Sequence, residues 1–117
     1  MCVELMPIKK MSEHEHQVML VQWLKRNHPG LRFFSVPNAA KRSYNISAMM
    51  KAEGLSKGVP DFFIPKLKLF IEMKAEQGRL SKEQVSWLEY LGSVGYTSEV
   101  CYGFEEAREL IEGLLND

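Results

Sequence analysis

Two β-prone runs that nearly meet in the sequence constrain the fold of this chain more than any other feature. Residues 61–64 and 67–73 are rich in Phe, Ile and Leu, and only Pro65 and Lys66 lie between them. So short a connection joins antiparallel neighbours, because parallel strands need a long crossover. The pair therefore predicts a β-hairpin with a tight connection.

Helices and strands are predicted on both sides of this hairpin. Ser12 has the character of an N-cap before a helix at residues 13–27, a strand follows at 31–36, and a short helix at 46–53 precedes the hairpin.

After the hairpin, Ser81 and Gln84 have the spacing of a capping box at the start of an amphipathic helix. A strand at 96–102 and a closing helix at 104–115 follow. The element order is therefore α-β-α-β-β-α-β-α. Because the last strand must rejoin the sheet, this order predicts an α/β fold in which helices flank a mixed sheet.

The chain has 117 residues, of which 45% are hydrophobic, and no repeat or linker divides it. Such a chain fits one domain that buries about 65% of its unfolded surface, without disulfides or a structural metal. Cys2 and Cys101 form no C-x-x-C pair, which argues against a zinc ribbon or a redox site. Because no segment has the apolar run of a signal peptide or membrane span, we expect a soluble, cytoplasmic protein.

The formal net charge is zero, but the charges are divided unevenly along the chain. Residues 38–82 hold nine basic side chains against four acidic ones, whereas residues 83–117 hold one basic side chain against eight acidic ones. This division predicts a basic working surface opposite an acidic one. The alternative is that folding mixes the two segments on one surface.

The second hairpin strand carries the candidate chemistry, because successive side chains of a strand point to opposite faces. One face would carry Leu67, Leu69, Ile71 and Met73, and the other Lys68, Phe70, Glu72 and Lys74.

Glu72 and Lys74 are then same-face neighbours, about 6.6 Å apart along the strand, with Asp61 on the adjacent strand. Converging carboxylates need a cation, and oxygen ligands with open water positions suit Mg²⁺ or Mn²⁺. Such a site can hydrolyse phosphodiester bonds, with Lys74 orienting or deprotonating the attacking water. The alternative is an exposed Glu72–Lys74 ion pair on an edge strand, the commoner meaning of E-x-K.

The wider pattern is more specific than E-x-K. Pro60 and Asp61 are followed, eleven positions after Asp61, by E-M-K, which resembles the PD-(D/E)XK nuclease motif. Further segments resemble the VRR-NUC family over residues 12–112. They are Glu13 with Gln17, PNAAKR at 37–42, GVPD at 58–61, IEMKAEQGRLSKEQ at 71–84 and GY at 95–96.

The resemblance implies one nuclease domain spanning 1–117, with a restriction-endonuclease-like core at about residues 12–115 and a divalent metal at the sheet edge. By the same resemblance, Asp61, Glu72 and the Met73 carbonyl would bind Mg²⁺ or Mn²⁺, and Lys74 would be the catalytic lysine. Glu13 would complete the site from the first helix.

Two glutamates compete for the helix-one position. The family places a glutamate four residues before a glutamine, which selects Glu13 with Gln17 on one helix face. Glu15 is the alternative, turned away by about 200°. A further alternative is that Glu13 has no role in the site and only adds a negative charge at the helix N-terminus, which the helix dipole favours.

Gln84 would reach phosphate or a metal-bound water by resemblance, and the alternative is that it only caps its helix. Basic and amide side chains that match phosphate oxygens are candidates for DNA contact. They are Asn38, Lys41, Arg42, Arg79 and Lys82.

His14 and His16 lie two positions apart, so they form no i, i+4 zinc pair, and we expect both to be exposed.

No recognition helix or zinc finger is predicted, so DNA shape is the expected determinant of the substrate. Short members of the resembled family act on branched DNA, including four-way (Holliday) junctions, and are commonly encoded by phages or prophages. The resemblance thus implies a homodimeric DNA endonuclease that uses no organic cofactor, possesses no membrane segment and takes part in DNA repair or processing. The alternatives are a monomeric flap or end-processing nuclease and a catalytically idle DNA-binding module.

Overall fold

The predicted hairpin lies in the middle of a mixed sheet in a computed structural model that describes residues 10–37 and 44–117. The sheet has the order β1-β2-β3-β4. The first three strands are antiparallel neighbours, whereas β3 and β4 are parallel. The strands are β1 (Phe34–Ser35), β2 (Phe62–Ile64), β3 (Leu69–Lys74) and β4 (Thr97–Tyr102).

Helices follow the predicted order and confirm the α/β class. They are α1 (Glu13–Asn27), α2 (Tyr44–Ala52), α3 (Lys82–Ser93) and α4 (Phe104–Leu115). Helix α3 is the crossover that parallel strands β3 and β4 require, and it packs against β4. Helices α1 and α4 pack against each other, α1 also against β3 and α4 against β4. None of the helices in the described ranges is long and apolar enough to cross a membrane.

The hairpin connection is longer than predicted. Pro65–Leu67 form one turn of 3-10 helix, which the fixed φ of Pro65 favours, and Lys68 adopts a left-handed conformation with φ 49°. The second strand therefore begins at Leu69, and Leu67 and Lys68 do not take part in its alternation. The first strand is also shorter than residues 31–36. Its ladder is extended by one hydrogen bond, in which the Val36 N–H donates to the Asp61 carbonyl at 2.7 Å.

Strand β3 is buried on both faces because it is central in the sheet. Leu69, Ile71 and Met73 belong to the main core. They pack there with buried residues of α1 and α4, which are Leu20, Leu24, Phe104, Ala107 and Ile111. On the other face, the Phe70 ring stacks on Phe63 with centroids 4.1 Å apart. Glu72 and Lys74 share this second face, so the fold encloses them.

A histidine connects α1 to α4. The N-cap of α4 is Gly103, which has no side chain to cap the helix. The Phe104 N–H instead donates to His16 Nδ1 at 3.0 Å. A Cβ at residue 103 would lie 3.2 Å from the imidazole, so glycine makes room for this contact. The expectation that His16 is exposed is wrong, because this contact half-buries it.

Gly58→Ala is expected to destabilise the fold. Gly58 has φ +92°, and an added Cβ would lie 2.5 Å from the backbone carbonyl carbon of Glu83 in the first turn of α3. Either α3 or the loop that leads to Asp61 would have to move. We expect a loss of at least about 3 kcal/mol in the free energy of unfolding, measured with urea.

Gly54→Ala is the matched control for this substitution. Gly54 also has a positive φ, +106°, but nothing lies within 4 Å of an added Cβ. Backbone strain alone is expected to cost about 1–2 kcal/mol there. Equal losses in the two variants would show that close packing against α3 does not explain Gly58.

Candidate active site

Three carboxylates from three separate elements converge at one end of the sheet. Glu13 lies in the first turn of α1, Asp61 directly precedes β2, and Glu72 lies on β3. One carboxylate oxygen of each lies within 4.8 Å of the others. The strand register explains part of this arrangement, because Phe62 pairs with Ile71 and Asp61 is therefore opposite Glu72. Helix α1 packs against β3 and brings Glu13 to the same place.

Backbone hydrogen bonds hold Asp61 in position. Its Oδ2 accepts a hydrogen bond from the Met73 N–H at 3.1 Å, and its carbonyl accepts one from the Val36 N–H at 2.7 Å. The carboxylate is thereby fixed to β3, whereas its other oxygen, Oδ1, takes no part in this bond. The Met73 side chain lies in the core, so any role of Met73 in the site belongs to its backbone.

Glu72 is the most deeply buried of the three carboxylates, with only 1% of its surface exposed. Its Oε1 is buried and has no hydrogen-bond partner. The pKa of Glu72 is raised to about 9, mainly by burial and also by the hydrogen bond and negative charge of Asp61, against the opposing effect of Lys74. A buried carboxylate oxygen without a partner, next to two more carboxylates, fits a divalent cation with oxygen ligands.

Lys74 lies two residues after Glu72, on the same face of β3, and is 7% exposed. Its aliphatic side chain passes close to Gly78, where a Cβ would lie 3.1 Å from Lys74 Cδ. The alternative of an exposed Glu72–Lys74 pair on an edge strand is wrong, because both residues are buried and β3 is a central strand. Within the part of the chain that the structure describes, no ion pair joins these two side chains.

The structure separates the two candidate glutamates of α1. Glu15 forms a capping box with Ser12, in which its Oε1 accepts from the Ser12 N–H at 3.0 Å. Glu13 is the one that lies with Asp61 and Glu72. The geometry therefore favours Glu13 as the helix-one carboxylate.

Gln84 has the capping role that the sequence offered as an alternative. Its Oε1 accepts from the Ser81 N–H at 2.8 Å, and its own N–H donates to Ser81 Oγ at 3.1 Å. The carboxamide oxygen is thus used in the cap, and a catalytic role of Gln84 stays a prediction.

The predicted DNA-contacting residues fall into two groups. Asn38, Lys41 and Arg42 lie outside the described residues. Arg79 and Lys82 are exposed, in the segment between β3 and α3 and at the start of α3.

A cleft of about 500 Å³ opens beside the carboxylates, between α1 and the β1 edge, and Glu13 and Asp61 lie at its border. The sequence analysis missed this cleft. The only signal for its α1 wall was the helical spacing of Gln17, Val18 and Val21, and nothing in the sequence placed that wall opposite Val36.

The family model of the VRR-NUC domain matches residues 11–105, which include all three carboxylates and Lys74. The chain belongs to the VRR-NUC family. A solved structure described as a VRR_NUC domain protein is similar, with a TM-score of 0.77 and 23% sequence identity over 93% of this chain and 92% of the other. It shares the fold. No curated protein matches the chain.

Family membership marks the chain as a nuclease-type domain, for which DNA is the substrate. The cluster of Glu13, Asp61 and Glu72 is compatible with a divalent metal in such a domain. The VRR-NUC fold explains why these residues, distant in sequence, meet at the end of the hairpin strands.

Glu72→Gln is expected to stabilise the metal-free protein at alkaline pH. The pKa of Glu72 is about 9 in the folded chain and lies near its usual value of 4.5 in the unfolded chain. Between these two pH values only the unfolded chain loses the proton, so the stability of the wild type falls as pH rises. We expect the variant to be more stable by about 3–5 kcal/mol near pH 8 and equally stable near pH 4, in urea unfolding with EDTA.

Glu89→Gln is the control, because Glu89 is exposed on α3. It should change the stability little at either pH. If Glu72→Gln were less stable than the wild type near pH 8, the buried Glu72 would be ionised and held by its neighbours, contrary to this expectation.

Proposed function

We propose that this VRR-NUC domain is a Mg²⁺- or Mn²⁺-dependent endodeoxyribonuclease that hydrolyses phosphodiester bonds in branched DNA, with four-way junctions as its preferred substrate. The observation that carries the proposal is the unpartnered, buried Oε1 of Glu72 beside two further carboxylates. A buried carboxylate oxygen beside two further carboxylates, with no ion pair to a Lys or Arg among the described residues, gains from a bound cation.

Asp61, Glu72 and Glu13 would hold the metal, together with the backbone carbonyl of Met73. When bound, the metal activates water and stabilises negative charge on the phosphate and the leaving oxygen. Lys74 lies on the face of β3 that carries Glu72. Its side chain would orient the attacking water as the ammonium, or take the proton of that water as the neutral amine. Burial of Lys74 supports this role, because a desolvated ammonium interacts more strongly with a nearby phosphate than an exposed one.

Arg79 and Lys82 would contact DNA phosphates beside the site, with Asn38, Lys41 and Arg42 contributing from the segment before α2. The support from the structure is that Arg79 and Lys82 are exposed in the elements directly after β3. Such contacts position the backbone without reading sequence.

A four-way junction with twofold symmetry calls for two equivalent active sites, so we propose that the enzyme acts as a homodimer. It would be encoded by a phage or prophage and act in the cytoplasm of the bacterial host, in repair or processing of branched DNA. Resemblance to short VRR-NUC proteins supports these points.

Metal binding is expected to raise the melting temperature. A ligand that binds only the folded state stabilises it by about 2.7 kcal/mol at a hundredfold excess over its Kd. We expect Mn²⁺ or Mg²⁺ to raise the melting temperature of the wild type by several degrees, and Asp61→Asn to abolish the rise. The asparagine can still accept the Met73 N–H, so the fold should persist.

Glu53→Gln serves as the control, because Glu53 is exposed and does not belong to the carboxylate cluster. It should retain the full rise with metal. An equal rise in Asp61→Asn and the wild type would place metal binding elsewhere on the protein.

Cleavage should require both metal and Lys74. Labelled four-way junction, 5′ flap, single-stranded and linear duplex DNA would be incubated with Mg²⁺, Mn²⁺ or EDTA. We expect paired, symmetric cuts in the junction, and a loss of at least about 100-fold in rate for Lys74→Met, since a positioned proton-transfer group contributes about 10²–10⁴-fold. Methionine keeps most of the buried volume of the lysine side chain.

Lys66→Met, at an exposed position in the hairpin connection, should cut like the wild type. The active species should have twice the 13.5 kDa mass of the chain in solution. Cutting confined to flaps by a monomer would move the assignment to flap or end processing. No metal-dependent cutting of any substrate would leave a DNA-binding module.

A further inference from the structure

The cleft between α1 and the β1 edge adjoins two of the three carboxylates. Glu13 and Asp61 lie at its border, and it continues along the next two turns of α1. Its α1 wall is one helix face, because positions 13, 17 and 21 are four residues apart. Its volume of about 500 Å³ lies within the range of pockets that hold one small organic ligand, roughly 300–1,000 Å³.

The lining residues that the structure describes carry little further charge. Among them, His14 is the only titratable group beyond Glu13 and Asp61. Three side chains form an apolar wall and three others offer neutral hydrogen-bonding groups. They are Val18, Val21 and Val36, and Gln17, Gln22 and Ser35.

The described part of this lining does not suit a phosphate by itself, because it offers no Lys or Arg and includes two carboxylates. It suits a nucleobase, which is neutral, has apolar faces and carries donors and acceptors on its edge. Nucleobases outside a duplex are held by apolar contacts to their faces and hydrogen bonds to their edges.

We propose that the cleft binds the base of a nucleotide adjacent to the scissile phosphate, extruded from the base stack. The inference rests on the proposed nuclease function and specifies its substrate. The scissile phosphate would lie at the metal ion that Glu13 and Asp61 help to hold, and the attached nucleoside would extend along α1. Gln17, Gln22 and Ser35 would contact the edge of the base.

A base within a duplex cannot enter this cleft, since its neighbours above and below occupy the space of the cleft walls. Extrusion costs a few kcal/mol in paired DNA and least where the base is already unpaired or poorly stacked. The cleft therefore selects DNA with an unstacked nucleotide next to the cut, as at a branch point. Selection of branched DNA by α1 requires no reading of sequence.

Val18→Trp tests this assignment by filling the cleft. Val18 is 39% exposed, so the larger side chain needs no space in the core. Met19→Trp is the matched control, because Met19 is the next residue of α1, is 38% exposed and does not line the cleft. Gln22→Trp, at a second exposed position of the cleft, keeps the test valid if Val18→Trp does not fold.

The first readout is independent of catalysis. A four-way junction carries 2-aminopurine at the nucleotide on either side of the cut, and its fluorescence rises when this base leaves the stack. Binding is measured with Ca²⁺ in place of Mg²⁺. We expect a several-fold rise at one of the two positions for the wild type and Met19→Trp, and none for Val18→Trp. The second readout is kcat/KM with Mg²⁺, expected to fall at least about tenfold in Val18→Trp alone, which corresponds to about 1.4 kcal/mol.

The outcomes separate this inference from the nuclease function. If the wild type cuts the junction and Val18→Trp matches it in fluorescence and kcat/KM, the base site is overturned and the nuclease function stands. If the wild type does not cut but shows the fluorescence rise, and Val18→Trp lacks it, the base site stands and the nuclease function fails. If the wild type neither cuts nor changes the fluorescence, both are overturned.

Discussion

The burial of the Glu72 carboxylate beside Asp61 and Glu13 is the constraint on which the rest of this structure depends. Burying an ionised carboxylate without a partner is costly, so the metal-free site keeps a proton, which the raised pKa of Glu72 expresses. A bound divalent cation would compensate the buried negative charge in place of the proton. Without a cation, the buried carboxylate therefore lowers the stability of the fold. The fold tolerates this cost because β3 is a central strand that is packed on both faces.

The surrounding backbone counters the mutual repulsion of the three groups. The Met73 N–H holds the Asp61 carboxylate and the Val36 N–H holds the Asp61 backbone carbonyl. Glu13 lies in the first turn of α1, where the helix dipole favours negative charge. The position of α1 is in turn coupled to α4 by the bond from the Phe104 N–H to His16. The acidic cluster thus depends on helix packing as well as on the hairpin.

The sequence predicted the element order, the N-cap at Ser12 and the capping box of Ser81 with Gln84, because these depend on local patterns such as turn residues, strand alternation and residue spacing. The alternation of β3 also predicted that Glu72 and Lys74 share a face. What it did not predict depends on distant contacts. No local sequence pattern predicts that His16 accepts the hydrogen bond from the first N–H of α4. Val36 likewise comes close to α1 only after the sheet has formed. The left-handed conformation of Lys68 follows the 3-10 turn at Pro65–Leu67. The apolar pattern of residues 67–73 predicted a strand there instead.

The carboxylate cluster and the cleft between α1 and the β1 edge lie side by side, because α1 supplies residues to both. Glu13 comes from its first turn, and Gln17, Val18 and Val21 come from the turns that follow. Leu20 and Leu24, on the adjoining stripe of the helix, are buried and anchor it in the core. A change in the packing of the two leucines would move both sites together. A change at Val18, on the exposed side, would alter the cleft and leave the carboxylates where they are. In the proposed nuclease, one helix would fix the distance between the reacting phosphate and the base beside it. The preference for DNA structure could then vary separately from the chemistry.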